Sequence, residues 1–200
     1  PKPNYMNLED ATAIKNWVNG GGVLVILGND SSNNEIKQFN ILPRMFGIEF
    51  NEDFFNPVLK DQFEMGAVIT PDNSPIFGSS KKLFIKELST LKLAAPATVI
   101  ATKNGANIMA VSSHGKGKVF VLGDPWIYNE YLDGRRLPSD FQNYPAALAL
   151  VDWPWPRSST LITAIFTDAT MAANCASCNA IACTRATSSA SVERVVMAFL

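Results

Sequence analysis

The sequence predicts an α/β fold in three layers, with a mixed β-sheet between helices. Three observations carry that expectation. Val23-Leu24-Val25-Ile26-Leu27 is apolar at every position, as in a strand covered by helices on both faces. Helical segments precede and follow it through short connections, the order of a doubly wound sheet. A second wholly apolar run, Val119-Phe120-Val121-Leu122, ends in Gly123-Asp124-Pro125-Trp126.

The first helix is expected from about Leu8 to Asn19. Asn7 can accept from the free amides of the first turn, and Glu9 and Asp10 complement the helix dipole there. Leu8, Ala11, Ile14, Trp17 and Val18 form one apolar stripe. Gly20-Gly21-Gly22 ends the helix, because glycine accepts a left-handed C-terminal conformation. After the first strand, Gly28-Asn29-Asp30-Ser31-Ser32-Asn33 reads as a polar turn. A second helix is expected from about Asn34 to Phe46, broken near Pro43 and closed by Gly47.

The middle of the chain reads as short strands over Phe63–Thr70, Lys82–Lys86, Ala97–Thr102 and Ile108–Ser112. Lys103-Asn104-Gly105 is a hairpin turn, since Asn-Gly tolerates positive φ at both central positions. His114-Gly115-Lys116-Gly117 is a second one. These turns give the later part of the sheet antiparallel members. A last helix is expected over Asp140–Trp153, with Asn143 as the alternative start because of Pro145. Tyr144, Ala147, Leu148, Leu150 and Val151 are assigned to its inner side.

Residues 1–153 therefore form one domain, and the text changes after them. Pro154-Trp155-Pro156 stops the helix, and 157–200 is rich in Ala, Ser and Thr with poor periodicity. This tail is expected to be poorly ordered. The opening Pro1-Lys2-Pro3-Asn4 has no initiator Met and no signal-peptide pattern, so an interior piece of a longer polypeptide is expected. The whole chain of 200 residues is 47% hydrophobic, enough for a real core. Its net charge of -1 provides no basic footprint for nucleic acid or an anionic membrane. No apolar run approaches the roughly 20 residues of a membrane helix.

In an open α/β sheet, ligands bind beyond the carboxyl ends of parallel strands. If both apolar strands are parallel, Asn29, Asp30, Asp124, Trp126, Asn129 and Glu130 share one edge. Carboxylates and amides suit sugar hydroxyls, and an indole suits a pyranose face. The same residue types also cap helices and stabilise turns. Both readings are open at this point.

Other chemistry has less support. A cysteine nucleophile needs a strand-to-helix elbow and a histidine base. No Cys occurs in residues 1–174, and the single histidine, His114, lies in a Gly-rich turn. Gly-x-Ser-x-Gly is absent. Gly115-Lys116-Gly117-Lys118 precedes a strand rather than a helix, so it presents no helix N-terminus to a phosphate. Cys175, Cys178 and Cys183 supply three of the four ligands that a structural zinc needs. Glu52 and Asp53 read as a solvated pair. No catalytic residue, metal site or cofactor site is assigned.

Two stretches carry a resemblance. One is Gly20-Gly21-Gly22-Val23-Leu24-Val25-Ile26-Leu27-Gly28-Asn29-Asp30, with Phe39-Asn40 and Phe46-Gly47-Ile48 downstream. The other runs from Gly115 to Tyr131 through Gly-Asp-Pro-Trp-Ile-Tyr-Asn-Glu. They are similar to the DUF4350 domain, of the class I glutamine-amidotransferase-like type. That domain lies C-terminal to the catalytic barrel in Bacteroidetes unsaturated rhamnogalacturonyl hydrolases (glycoside hydrolase families 88 and 105). The resemblance covers about residues 4–153. It implies a flavodoxin-like three-layer fold, truncated at the N-terminus because the family's first βα units are missing. It also implies an upstream catalytic barrel as partner, a pectin-derived oligosaccharide as possible ligand, and a periplasmic or extracellular location. The family's catalytic carboxylates belong to the barrel, so none transfers to this chain. The expected function is a non-catalytic accessory domain of a pectin-degrading glycoside hydrolase, packing against the catalytic barrel or holding glycan. The alternatives are an independent carbohydrate-binding module and a divergent hydrolase using Asp124 or Glu130 as general base.

Overall fold

The computed structural model describes residues 6–128, 131–132 and 136–153, together with the backbones of 162–166 and 196–199. Helix α1 (Leu8–Asn19) starts as its sequence dictates: the Asn7 side chain accepts from the Asp10 amide at 2.8 Å. At its end Gly20 stays right-handed, and Gly21 takes the positive φ, 120°. Strand β1 (Val23–Leu27) follows, then a short helix α2 (Ile36–Phe39) and β2 (Ile48–Phe50). The middle contains β3 (Ala67–Ile69), β4 (Lys82–Phe84) and β5 (Leu91–Leu93). The chain continues through β6 (Thr98–Lys103), β7 (Ala106–His114), β8 (Gly117–Leu122) and α3 (Asn143–Asp152). β9 (Ile162–Phe166) and β10 (Val196–Phe199) complete the described strands.

The main sheet has the order β10-β9-β1-β8-β7-β6. β1 is parallel to both β8 and β9, and β10 is parallel to β9. β6, β7 and β8 are antiparallel neighbours. The sheet is thus mixed, as the two hairpin turns require. Asn104 and Gly105 have φ of 49° and 80°, the doubly positive geometry of a two-residue turn. β2 pairs with β5, and β3 with β4, as two separate ribbons.

The apolar runs are continuous because both faces are covered. Successive strand residues point to opposite faces. Leu24, Ile26, Val119 and Val121 pack with Ala11 and Val18 of α1. Val25, Leu27, Phe120 and Leu122 pack with Ala146, Ala147 and Leu150 of α3. Each fully buried Leu, Ile, Val or Phe contributes about 1.5–3 kcal/mol of transfer free energy.

Three expectations are corrected. The helix over Asn34–Phe46 is only α2 plus a 3-10 turn at Pro43–Phe46, ended by Gly47 at φ 79°. Asn40 explains the break: its side chain bonds the Phe50 amide and carbonyl, both at 2.8 Å, and so turns the chain back toward β2. Phe63–Gly66 is a 3-10 turn, and only Ala67–Ile69 of that segment is strand. Finally, Tyr144 and Leu148 point outward from α3, 48% and 37% exposed. The inner face is Asn143, Ala146, Ala147 and Leu150. Asn143 sets that rotation, because its side chain bonds the Phe84 amide at 2.8 Å and the Phe84 carbonyl at 3.0 Å.

The expectation for 154–200 falls mostly outside the described residues. β9 lies beside β1 with Leu27 opposite Phe166, and β10 lies beyond it.

Candidate functional site

The candidate residues sit where two parallel strands end together. Leu27 is the register partner of Leu122, and the Gly28 amide donates to the Leu122 carbonyl at 2.8 Å. The Gly28-Asn29-Asp30 and Gly123-Asp124 loops therefore leave the sheet at one edge, as their sequence positions predict. Trp126 begins a 3-10 turn, Trp126–Tyr128, just beyond. Asn129 and Glu130 lie outside the described residues.

Among the described residues, the edge does not hold an open array of polar groups. Asn29 is 3% exposed, and Asp30 and Asp124 are fully buried. The Asn29 side chain accepts from the Asp30 amide at 2.9 Å. The Asp30 carboxylate accepts from the Ser32 amide at 2.8 Å, from the Ser32 hydroxyl, and from the Asn33 side chain at 2.7 Å. Its carbonyl accepts the Asn33 and Asn34 amides. This is a carboxylate folding its own turn. Asp124 accepts from the Lys86 amide at 2.7 Å.

Lys86 belongs to a strap, residues 86–90, laid across the strand ends. The Ser89 amide donates to Gly123 at 3.1 Å, and its hydroxyl donates to the Asn29 carbonyl at 2.8 Å. At its far end Thr90 donates its amide and hydroxyl to the Asp53 carboxylate. The Asp53 carbonyl in turn accepts the Ser31 amide at 3.0 Å. Asp53, read from the sequence as solvated, is a tie between the strap and the first loop. The two glycines permit this closeness. A Cβ on Gly123 would sit 2.0 Å from the Ser89 carbonyl oxygen, and one on Gly28 would sit 2.2 Å from the Phe50 ring.

A shallow cavity of about 370 Å³ lies beside the Asp30 turn, lined by Ser31, Asn34, Glu35, Ile36, Lys37 and Glu52. Lys37 and Glu52 approach to 3.9 Å across it. None of the candidate residues lines it, and it offers no aromatic ring. His114 packs edge-on against Phe46, with ring centroids 5.5 Å apart. Among the described residues no cluster of His, Cys, Asp and Glu is placed to hold a metal. Cys175, Cys178 and Cys183 lie outside them.

Ser89 was not singled out in the sequence, Asn143 was read only as a helix start, and Asn40 entered only within the stretch that carries the resemblance. Each acts on backbone far along the chain, and no local pattern announces such a bond.

No family model and no curated protein matches the chain. Among solved structures it is similar to the mmIFT52 N-terminal domain, at 18% identity and a TM-score of 0.57, over 74% of this chain and 71% of that one. It also overlaps an exo-β-1,4-mannosidase, Op5Man5, from Opitutaceae bacterium strain TAV5, at 17% identity and a TM-score of 0.39. That overlap covers 60% of this chain and 19% of the mannosidase. A cold-adapted β-galactosidase from Rahnella sp. R3 aligns at 15% identity and a TM-score of 0.47, over 72% of this chain and 21% of that one. The first of these likenesses supports an α/β fold with a mixed sheet. The chain spans about a fifth of each glycosidase.

Proposed function

We propose that this chain is a non-catalytic accessory domain of a pectin-degrading glycoside hydrolase of the unsaturated rhamnogalacturonyl hydrolase type, with the flavodoxin-like fold of its glutamine-amidotransferase-like class. Its role is to pack against the catalytic barrel. The observation that carries the non-catalytic part is the state of Asp30 and Asp124. Both are buried and accept from their own chain. A general base must reach a substrate proton at about 3 Å. A sugar-binding residue must likewise turn a polar atom outward, which Asn29, Asp30 and Asp124 do not. The pectin assignment rests on the Gly-Asp-Pro-Trp-Ile-Tyr-Asn-Glu stretch and its resemblance.

The DNA upstream of the coding region tests the partner. An in-frame region encoding an (α/α) barrel is expected; an unrelated upstream protein overturns the assignment. Turnover tests the chemistry. The purified chain is expected to release no product from unsaturated rhamnogalacturonan oligosaccharides. Product release that co-purifies with the chain and disappears in Asp124→Asn would favour the divergent hydrolase instead. Retention of the chain on a rhamnogalacturonan affinity gel would favour an independent carbohydrate-binding module.

A further inference from the structure

The chain contains two Asn-Gly dipeptides among its described residues, Asn19-Gly20 and Asn104-Gly105. They are chemically equivalent in sequence and differ in what the fold does to them. The reaction open to such a pair is intramolecular. The amide nitrogen of the glycine loses its proton and attacks the asparagine Cγ, forming a five-membered succinimide and releasing ammonia. Water then opens either ring carbonyl, leaving aspartate or isoaspartate. The net change consumes one water, releases one ammonia and oxidises nothing. Glycine favours the reaction because no Cβ shields its nitrogen.

At the end of α1 the glycine nitrogen is engaged. The Gly20 amide donates to the Asn16 and Trp17 carbonyls, both at 3.1 Å. The Asn19 carbonyl accepts from the Lys116 amide at 3.0 Å, and its Oδ1 lies 2.1 Å from where a Cβ on Gly115 would stand. The backbone is therefore held by the neighbouring hairpin turn, and the Asn19 side chain lies close against Gly115 of that turn. At the β6–β7 turn neither restraint exists. Exposure does not separate the sites, since Asn19, Gly20, Asn104 and Gly105 are all exposed. Nothing lies within 4 Å of the position a Cβ on Gly105 would occupy. In a two-residue turn the ladder bonds belong to the flanking pair, here Lys103 and Ala106, which leaves the glycine amide to solvent.

We propose that Asn104 is a site of spontaneous modification, converting to aspartate and isoaspartate in the folded protein, while Asn19 is protected. The consequence falls on β6, the edge strand of the main sheet. Turn geometry fixes hairpin register, and isoaspartate inserts an extra backbone carbon into that turn. The new carboxylate also arises beside Lys103, whose ammonium donates to the Ala67 carbonyl at 2.6 Å and so ties the hairpin to β3.

The test compares the two sites within one molecule. The full chain is aged at mildly alkaline pH, folded and in concentrated urea, and each asparagine is followed by peptide mass and by chromatographic separation of isoaspartate. In urea the two sites should convert at similar rates. In the folded chain Asn104 should convert several-fold to about ten-fold faster than Asn19, since the three-centre hydrogen bond of the Gly20 amide must break to free its nitrogen. Asn104→Gln should abolish isoaspartate at that turn, because its longer side chain would have to close a six-membered ring. Equal rates at both sites in the folded chain overturn the proposal, and so does an Asn104 that stays intact when folded and converts only in urea.

Discussion

The Ser89 hydroxyl donates to the main-chain carbonyl of Asn29 at 2.8 Å while the Ser89 amide reaches Gly123 at 3.1 Å. One buried residue thus joins the ends of the two central strands. Ser89→Ala removes the hydroxyl and leaves the Asn29 carbonyl buried without that donor. A stability loss of about 1–3 kcal/mol is expected, the cost of an unsatisfied buried group. Urea denaturation measures it. A variant as stable as the parent would mean that the strap does not depend on this bond.

Gly28→Ala and Gly123→Ala should behave differently, although both create a close contact. The obstacle at Gly28 is the Phe50 ring, a side chain, whereas at Gly123 it is the Ser89 carbonyl, a backbone atom. Overpacking costs about 1–3 kcal/mol where side chains can adjust. Gly28→Ala should therefore recover much of its loss in a Phe50→Leu background. Gly123→Ala should not be rescued by any neighbouring side-chain truncation. Equal rescue of both, in thermal melts of the double variants, would contradict the geometry.

Asn143 holds α3 in rotation by bonding the Phe84 amide and carbonyl. Asn143→Leu strands both groups, and a loss of about 2–4 kcal/mol is expected. Asn143→Asp keeps the acceptor for the Phe84 amide and loses the donor, so it should fall between the parent and Asn143→Leu. Measured by chemical denaturation, an Asp variant worse than the Leu variant would show that burial of the charge outweighs the retained bond.

Lys82 joins three segments, meeting Glu64 and Asp140 at 2.5 Å each and covering the Phe141 ring at 4.4 Å. The hydrogen bond from Lys82 holds the Asp140 carboxyl below its ordinary value. The bonds to Asp140 and Glu64 raise the Lys82 ammonium above its own. A depressed carboxyl stabilises the fold above its unfolded value and loses that contribution as pH falls through the folded one. A raised ammonium stabilises below its unfolded value and loses that contribution as pH rises through the folded one. The stability difference between parent and Lys82→Met should accordingly be flat across neutral pH and shrink at both acid and alkaline extremes. Both carboxylates are largely exposed, so added salt should also reduce it. A difference unchanged in acid would assign the effect to the Phe141 contact alone.

Much of the architecture is legible in residues that act locally. The two apolar runs specify central strands because only a strand covered on both faces tolerates large apolar side chains at successive positions. Asn7 and the Asn-Gly turn specify a helix start and a hairpin because their reach is a few residues. Parallel pairing then places Asn29 and Asp124 on one edge, an arrangement their sequence positions already implied.

The sequence by itself could not decide what those polar residues do there. The same polar loops serve a ligand site or a sealed edge, and for Asn29 and Asp124 the choice depends on a strap some 60 residues from Asn29 in the chain. The rotation of α3 was likewise settled by Asn143 against Phe84, across a separation of 59, which turned Tyr144 and Leu148 outward. Such bonds join positions whose encounter no local periodicity records. Local propensity and burial pattern determined the elements, their order and the shared strand edge. Only the packing of distant backbone determined which polar groups were left to meet solvent, because a buried carboxylate is satisfied by whichever amide the tertiary fold brings to it.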